Sequence, residues 1–275
     1  MGGLIRLIHP FPSLLDGLVV GAVAMIAGGD GTTAVRLAVS MTALQASIGT
    51  LNDVVDAPRD AGHKPGKPIP AGLVSARLAR AAVVAGAGLG AGLAIPSGWG
   101  TIALAVVVLA IGFGYDLVFK GTVWSWLPFA VGIPLLPVYG WLGATGSLPR
   151  SFAVLLPVAV IAGAALAIAN ARADLERDAT AGVGSVAIRL GLGPAWAVNA
   201  VLLTVVVVAA IATLAVNSAS PVALTCAIGA GLVIGLGVLV GRRGDRARRE
   251  WAWELQAVGI GFLALAWLTG NPVGG

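Results

Sequence analysis

Charged side chains are scarce in this chain, 11% of 275 residues against 58% hydrophobic, where an ordinary soluble domain carries about 25%. So little charge excludes a water-facing surface over most of the molecule. Cysteine is nearly absent: Cys226 is alone inside an apolar run, which excludes an intrachain disulfide and leaves the redox compartment unread. Two histidines and one cysteine are too few for an ordinary zinc or other transition-metal centre. Lysine is rare as well, only Lys64, Lys67 and Lys120 against 14 arginines. With abundant Ala and Gly, that bias fits a GC-rich bacterial genome and makes the plasma membrane the expected home.

What is plentiful is long apolar sequence. A helix crosses the hydrocarbon core with roughly 20 mostly apolar residues, and such stretches recur along the whole length. They lack the short alternation of a barrel strand, and an open sheet would leave backbone groups unpaired in lipid. The expected fold is therefore all-α and integral to the membrane. Nine transmembrane helices are predicted over about 11–29, 33–54, 73–96, 100–119, 123–143, 152–172, 194–217, 221–241 and 251–270. The first resembles a signal peptide, but Met25 to Gly29 is a poor cleavage site and another apolar run follows from Ala34, so it reads as a permanent span. The 40 glycines suit close helix packing in lipid, notably Gly86, Gly88, Gly90, Gly92 and Gly229, Gly231, Gly235, Gly237.

Orientation follows from the basic residues. With the N-terminus inside, 15 of the 17 Lys and Arg fall on the cytoplasmic side, only Arg36 and Arg150 outside. That bias supports an odd number of spans. It also accounts for the net charge of +5, so membrane lipids and no nucleic acid are the expected partners. The run Arg242 to Arg249 reads as a topology signal with some anionic-lipid contact.

Six of the twelve acids lie in two clusters. One reads Asn52-Asp53-Val54-Val55-Asp56-Ala57-Pro58-Arg59-Asp60, the other Asn170-Ala171-Arg172-Ala173-Asp174-Leu175-Glu176-Arg177-Asp178. Both contain Asn-x3-Asp-x3-Asp, 118 residues apart, and each closes a long apolar run. The repetition predicts two four-helix halves, about 11–120 and 123–241, plus a ninth helix, within a single domain over 1–275.

On a helix, positions i, i+4 and i+8 share one face. Asn52, Asp56 and Asp60 would then form a strip of oxygen ligands, as would Asn170, Asp174 and Asp178. Carboxylates stacked this way repel one another, and hard oxygen ligands select Mg2+, with Mn2+ as a substitute. Magnesium takes few protein carboxylates and completes its shell with phosphate oxygens and water. Lys67, Lys120 and Arg177 lie close in sequence and suit phosphate. Two such strips with basic neighbours describe a diphosphate site. Solvated loop acids and basic residues that merely flank spans are the plainer alternative, and a duplicated motif weighs against it.

The clusters resemble the two aspartate motifs of the UbiA superfamily of intramembrane prenyltransferases. Lys67-Pro68-Ile69-Pro70-Ala71-Gly72 is similar to that family's Arg-Pro-Leu-Pro-Ser-Gly segment, and Tyr115 to Lys120 to its Tyr-x-x-x-Lys element. Ser185 to Gly191 resembles the tail of the second motif, and Arg6-Leu7-Ile8-His9-Pro10 the Arg-Leu-x-Arg-Pro opening. The resemblance implies nine helices around a central cavity, an active site toward the cytoplasm, and prenyl transfer from a prenyl diphosphate donor. It implies that Asn52, Asp56, Asp174 and Asp178 hold magnesium, that Asp53 and Asp60 serve as further ligands or orient basic residues, and that Lys67 and Lys120 grip phosphate.

Two departures stand out. Lys67 keeps the charge of the family's Arg but not its fork, and Pro58 interrupts the first motif, so Asp60 is expected on the loop beyond the helix. Phe113, Tyr115, Trp124 and Tyr139 are candidate aromatic walls for a developing cation, or simply packing and interfacial anchors. Asp16, early in the first span, is a candidate contact to the acceptor or an interfacial cap. Within the resemblance the commonest acceptor is a small aromatic quinone precursor. A lipid glycerol phosphate, a phosphosugar, a tetrapyrrole alcohol or intramolecular cyclisation are alternatives. Leu166 to Asn170 lacks the Tyr-Asp-x-x-Tyr-Ala pattern associated with 4-hydroxybenzoate. A repeat-built transporter and a non-catalytic prenyl-lipid binder are the competing classes; acids at helix ends rather than at the midplane weigh against the former.

Overall fold

The computed structural model describes residues 2–62, 66–180, 182 and 184–271. Lys64, one of the cytoplasmic basic residues of the orientation argument, lies outside them. Among the described residues every regular element is helical: α1 (Gly2–Leu7), α2 (Pro10–Ile26), α3 (Gly31–Asp60), α4 (Ala76–Ala94), α5 (Trp99–Gly114), α6 (Leu127–Thr145), α7 (Phe152–Ala173), α8 (Leu175–Thr180), α9 (Val186–Leu190), α10 (Leu192–Val216), α11 (Pro221–Val240) and α12 (Arg246–Gly270). Among them α3 to α7 and α10 to α12 are, with α4 and α5 counted with their terminal 3-10 and π turns, eight helices long and apolar enough to cross a membrane; α2 is apolar but shorter, at 17 residues. The chain is a multi-pass helical membrane protein.

Sequence chemistry sets the ends. Pro10 and Pro221 open α2 and α11, where a missing N–H costs nothing. Asp30, Ser75, Ser220 and Asp245 cap α3, α4, α11 and α12 by accepting a backbone N–H in the first turn, satisfying one of the donors a helix start leaves open. The Thr33 amide at 2.8 Å from Asp30 holds that carboxyl below the usual range. Two ends differ from expectation. The first acid motif is helical to its last residue, since α3 continues through Pro58 to Asp60. The basic run is helical from Arg246 on, because the Asp245 cap starts α12 there rather than at residue 251.

Two compact units are present, Met1–Val118 with Leu135–Leu148, and Phe119–Pro134 with Pro149–Gly275, so that α6 is shared between them. In the first unit, α4 packs on α3 through Gly86 and Gly90. A Cβ at Gly90 would lie 2.6 Å from the Leu44 side chain, and one at Gly86 3.1 Å from the Ala43 carbonyl. Gly88 and Gly92 face open space, so half of that glycine row makes the contact and half does not, as i, i+4 geometry requires. Hydroxyls tie the same pair of helices: Ser47 Oγ donates to the Val83 carbonyl at 2.8 Å, and Ser40 Oγ to the Gly90 carbonyl at 2.6 Å. Tyr139, a candidate aromatic wall, is fully buried with its hydroxyl 2.6 Å from Ser40 Oγ; it is core.

In the second unit, Gly163 lets α7 meet the start of α6, Gly259 meets Ile234 of α11, and Gly237 admits Gln256 of α12. Gly229 and Gly235 face nothing within 4 Å. Asn199 on α10 donates to the Ala165 carbonyl at 2.9 Å and to Gln256 Oε1 at 3.1 Å, so one buried amide joins three spans. Without water such polar pairs help hold helices together.

Candidate active site

In the first unit the acid strip occupies the last turns of α3. Asn52, Asp56 and Asp60 lie on one continuous helix, and Asp56 and Asp60 are buried. Asn52 Nδ2 donates to Asp116 Oδ1 at 2.7 Å, which leaves the Asn52 carbonyl oxygen as the end of the amide presented elsewhere. Asp116 is buried within a π-helical turn, Tyr115–Phe119, that ends α5. Such turns often mark functional positions. Tyr115 opens that turn and is partly exposed.

Asp53 is rotated about 100° from Asn52 around the helix and does something different. Its Oδ1 receives His9 Nε2 at 2.9 Å and forms a close ion pair with Lys67 Nζ. Asp53 is almost wholly buried, and its second oxygen, Oδ2, makes no hydrogen bond among the described residues. His9 sits at positive φ just before α2 and packs over Gly49, where a Cβ would come within 3.1 Å of the ring. Lys67, expected on phosphate, is thus held on Asp53 at the edge of the strip. Asp16 is partly exposed in the second turn of α2.

The second unit carries the other motif, and here the expected unbroken strip gives way. Asn170 is in the last turn of α7, which stops at Ala173. Asp174 takes φ −100° and ψ 6°, and α8 begins at Leu175. One i to i+4 bond survives, the Asp178 amide to the Asp174 carbonyl at 2.9 Å, so Asp178 keeps its turn relative to Asp174 while the axis is interrupted. The Asp174 carboxylate is half exposed, with Arg177 Nη1 at 3.3 Å and Arg246 Nε at 3.7 Å from Oδ1. Glu176 forms a close bidentate pair with Arg249. Arg172 is buried and donates to the carbonyls of Leu192 and Gly241, so it is a structural residue. Lys120 follows the π turn and is partly exposed.

His9, Asp116, Glu176, Arg246 and Arg249 were not singled out as site residues from sequence. Two of them had a signal, His9 in the basic position of the opening motif and Asp116 beside Tyr115. Among the described residues no three His, Cys, Asp or Glu side chains form a ready metal cage. The donors present in the motifs are carboxylates and amides, which suit a hard cation that also needs phosphate and water.

Among the described residues, eight helices long and apolar enough to cross a membrane and one shorter apolar helix, with an acid motif at the end of α3 and another at the end of α7, define a multi-pass membrane protein. The chain belongs to the UbiA prenyltransferase family, whose model matches residues 17–266, and is a prenyltransferase by that membership. A digeranylgeranylglyceryl phosphate synthase of Natronomonas pharaonis is 31% identical over 198 residues, 69% of each chain. The fold is similar to that of a UbiA homologue from Aeropyrum pernix K1, with TM-score 0.75 and 20% identity over 91% of this chain and 94% of that one. It is also similar to a UbiA homologue from Archaeoglobus fulgidus solved with DMAPP and Mg2+, with TM-score 0.73 and 19% identity over 95% and 99% of the two chains.

Proposed function

We propose that this protein transfers a prenyl group from a prenyl diphosphate to the hydroxyl of a phosphate-bearing lipid precursor of the glycerol phosphate class, using magnesium. The observation that carries the transfer reading is the pair of acid motifs, each at the end of a membrane-spanning helix and each bracketed by basic side chains. Asn52, Asp56 and Asp60 in one motif and Asn170, Asp174 and Asp178 in the other would hold the metal on the diphosphate. Magnesium bound there supplies charge neutralisation for the departing pyrophosphate. The C1–O bond of the donor breaks, the acceptor oxygen bonds to C1, and the acceptor proton is released. Lys67 and Lys120 would balance further charge on the leaving group, and apolar helices would keep water from the reactive carbon. Tyr115 would line the prenyl path, and Asp16 would meet the acceptor.

The acceptor class is supported by the synthase from Natronomonas pharaonis, whose name specifies a glyceryl phosphate. A local feature agrees with it. Arg177 and Arg246 stand beside Asp174, Arg246 also lying 3.6 Å from Glu250, and these donors would be available to a phosphate that displaces a carboxylate. We further propose a cytoplasmic N-terminus and active site in a bacterial plasma membrane, from the basic-residue bias.

The test is purified protein given prenyl diphosphates of several lengths with a panel of acceptors, products being read by mass spectrometry. Prenylation of a glycerol phosphate lipid and not of aromatic acids or phenols is the expected result. Prenylation of aromatic acceptors alone restores the quinone-precursor expectation, and a cyclic hydrocarbon made without acceptor points to a cyclase. Lys67→Met is expected to lower kcat/KM by at least about 30-fold, near 2 kcal/mol, because it also takes the lysine charge from the buried Asp53 carboxylate and leaves it to His9. Lys67→Arg is expected to stay within about tenfold of wild type, since charge and donors persist. Equal rates for Lys67→Met and wild type would remove Lys67 from the site.

A further inference from the structure

From sequence, the ninth span stands outside the two four-helix halves and its arginines read as a topology signal. The geometry of the second unit gives one of them another task. We propose that Arg249 of α12 is a positioning residue for the second acid motif: its guanidinium bridges the chain across the break at Asp174 and so sets where Asp174 and Asp178 stand.

Arg249 is only 4% exposed, and all three of its nitrogens are engaged. Nε donates to the Arg172 carbonyl at 2.9 Å, Nη1 to the Gly244 carbonyl at 2.8 Å, and Nη2 reaches both carboxylate oxygens of Glu176. The two partners in the motif lie two residues before Asp174 and two residues after it. Arg172 belongs to the last turn of α7, Glu176 to α8. A helix that stops and restarts within one residue has no continuous ladder to hold the two segments in register. One planar group bonded to both sides supplies that constraint, and arginine's fixed fork suits it better than a lysine would. The anchoring is rigid in turn. Arg172 donates to the carbonyls of Leu192 and Gly241, and the Asp245 side chain caps α12 four residues before Arg249. A surface topology signal needs none of these bonds. Glu176 lies between the two aspartates in sequence and is given no ligand role by the motif pattern; the clamp supplies a reason for an acid at that position.

The inference rests on reading Asp174 and Asp178 as residues of the metal and diphosphate site. It predicts that loosening the clamp weakens metal binding more than it weakens the fold. Partners that orient metal ligands typically change affinity by about 10–100-fold. Glu176→Gln is the gentler variant, because that side chain is 57% exposed and its neutral amide loses the charge-assisted pair. Arg249→Met is the harsher one, because it also removes the donors to the Arg172 and Gly244 carbonyls.

The measurement is Mn2+ binding followed by electron paramagnetic resonance, on full-length protein saturated with an unreactive prenyl thiodiphosphate, alongside thermal unfolding. Glu176→Gln is expected to bind Mn2+ about tenfold more weakly with its unfolding temperature nearly unchanged, and Arg249→Met to lose more of both. Wild-type Mn2+ affinity in Glu176→Gln overturns the proposal. Asp174→Ala, measured in parallel, separates the two levels. If it binds Mn2+ as the wild type does, the underlying site reading fails and takes the clamp with it; if it loses Mn2+ while Glu176→Gln does not, the clamp alone fails.

Discussion

Asp56→Ala and Asp174→Ala are each expected to reduce prenyl diphosphate turnover by about a thousandfold or more while the protein remains folded and extractable. Removal of one group that stabilises charge developing on a leaving group costs about 10²–10³ in rate, and here the group would also carry the metal. Asp56 is the sharper case, because it is 7% exposed and bulk water has little access to replace it. Asp174 is half exposed, so water can fill part of the gap. Its alanine variant should recover more activity than Asp56→Ala when Mg2+ is raised tenfold. Asp30→Ala is the control, an exposed cap at the start of α3, and should leave kcat/KM unchanged. Pyrophosphate release over a magnesium titration reads all three. A wild-type rate in Asp174→Ala would leave the second motif without its assigned role.

Gly163→Val should be the most damaging change made away from the acids. A Cβ at position 163 would lie 2.3 Å from the Phe129 carbonyl oxygen and 2.9 Å from the Ala130 Cα. These are backbone atoms of α6, so no rotamer change relieves the overlap. Overpacking of a tight contact costs about 1–3 kcal/mol where side chains can adjust, and the upper end or beyond is expected here. Gly229→Ala is the matched control. Nothing lies within 4 Å of a Cβ there, and exchanging glycine for alanine in a helix favours the folded state by up to about 1 kcal/mol. Thermal unfolding of the two variants in the same detergent should move in opposite directions. A Gly163→Val protein as stable as wild type would mean that α6 and α7 do not approach as closely as the structure has them.

The paired glycines show how far a one-dimensional pattern reaches. Gly86, Gly88, Gly90 and Gly92 are indistinguishable as letters, and all suggest helix contact. Only the neighbour's position selects Gly86 and Gly90, which meet α3, from Gly88 and Gly92, which meet nothing. Pro58 shows the converse, a local rule overridden. It was expected to end the helix and release Asp60. Instead α3 carries Asp60 into a buried position, since a proline near a helix C-terminus removes one N–H but need not break the remaining turns. Tyr139 shared the same ambiguity, and its hydrogen bond to Ser40 places it in the core.

The sequence by itself determined the membrane class, the positions of the apolar helices and the presence of two acid motifs. These depend on local quantities: hydropathy over about 20 residues, and residue types at spacings that one helix turns into a face. The tertiary structure alone decided which partners those acids keep. His9 joins Asp53 across 44 residues, Asp116 joins Asn52 across 64, and Arg249 joins Glu176 across 73. No spacing rule reaches that far, because such contacts arise from how helices pack and where their ends meet. The break at Asp174 belongs with them. Its neighbours in sequence would permit an unbroken helix, and the structure instead shows a buried arginine on another span bonded to both sides of an interrupted one.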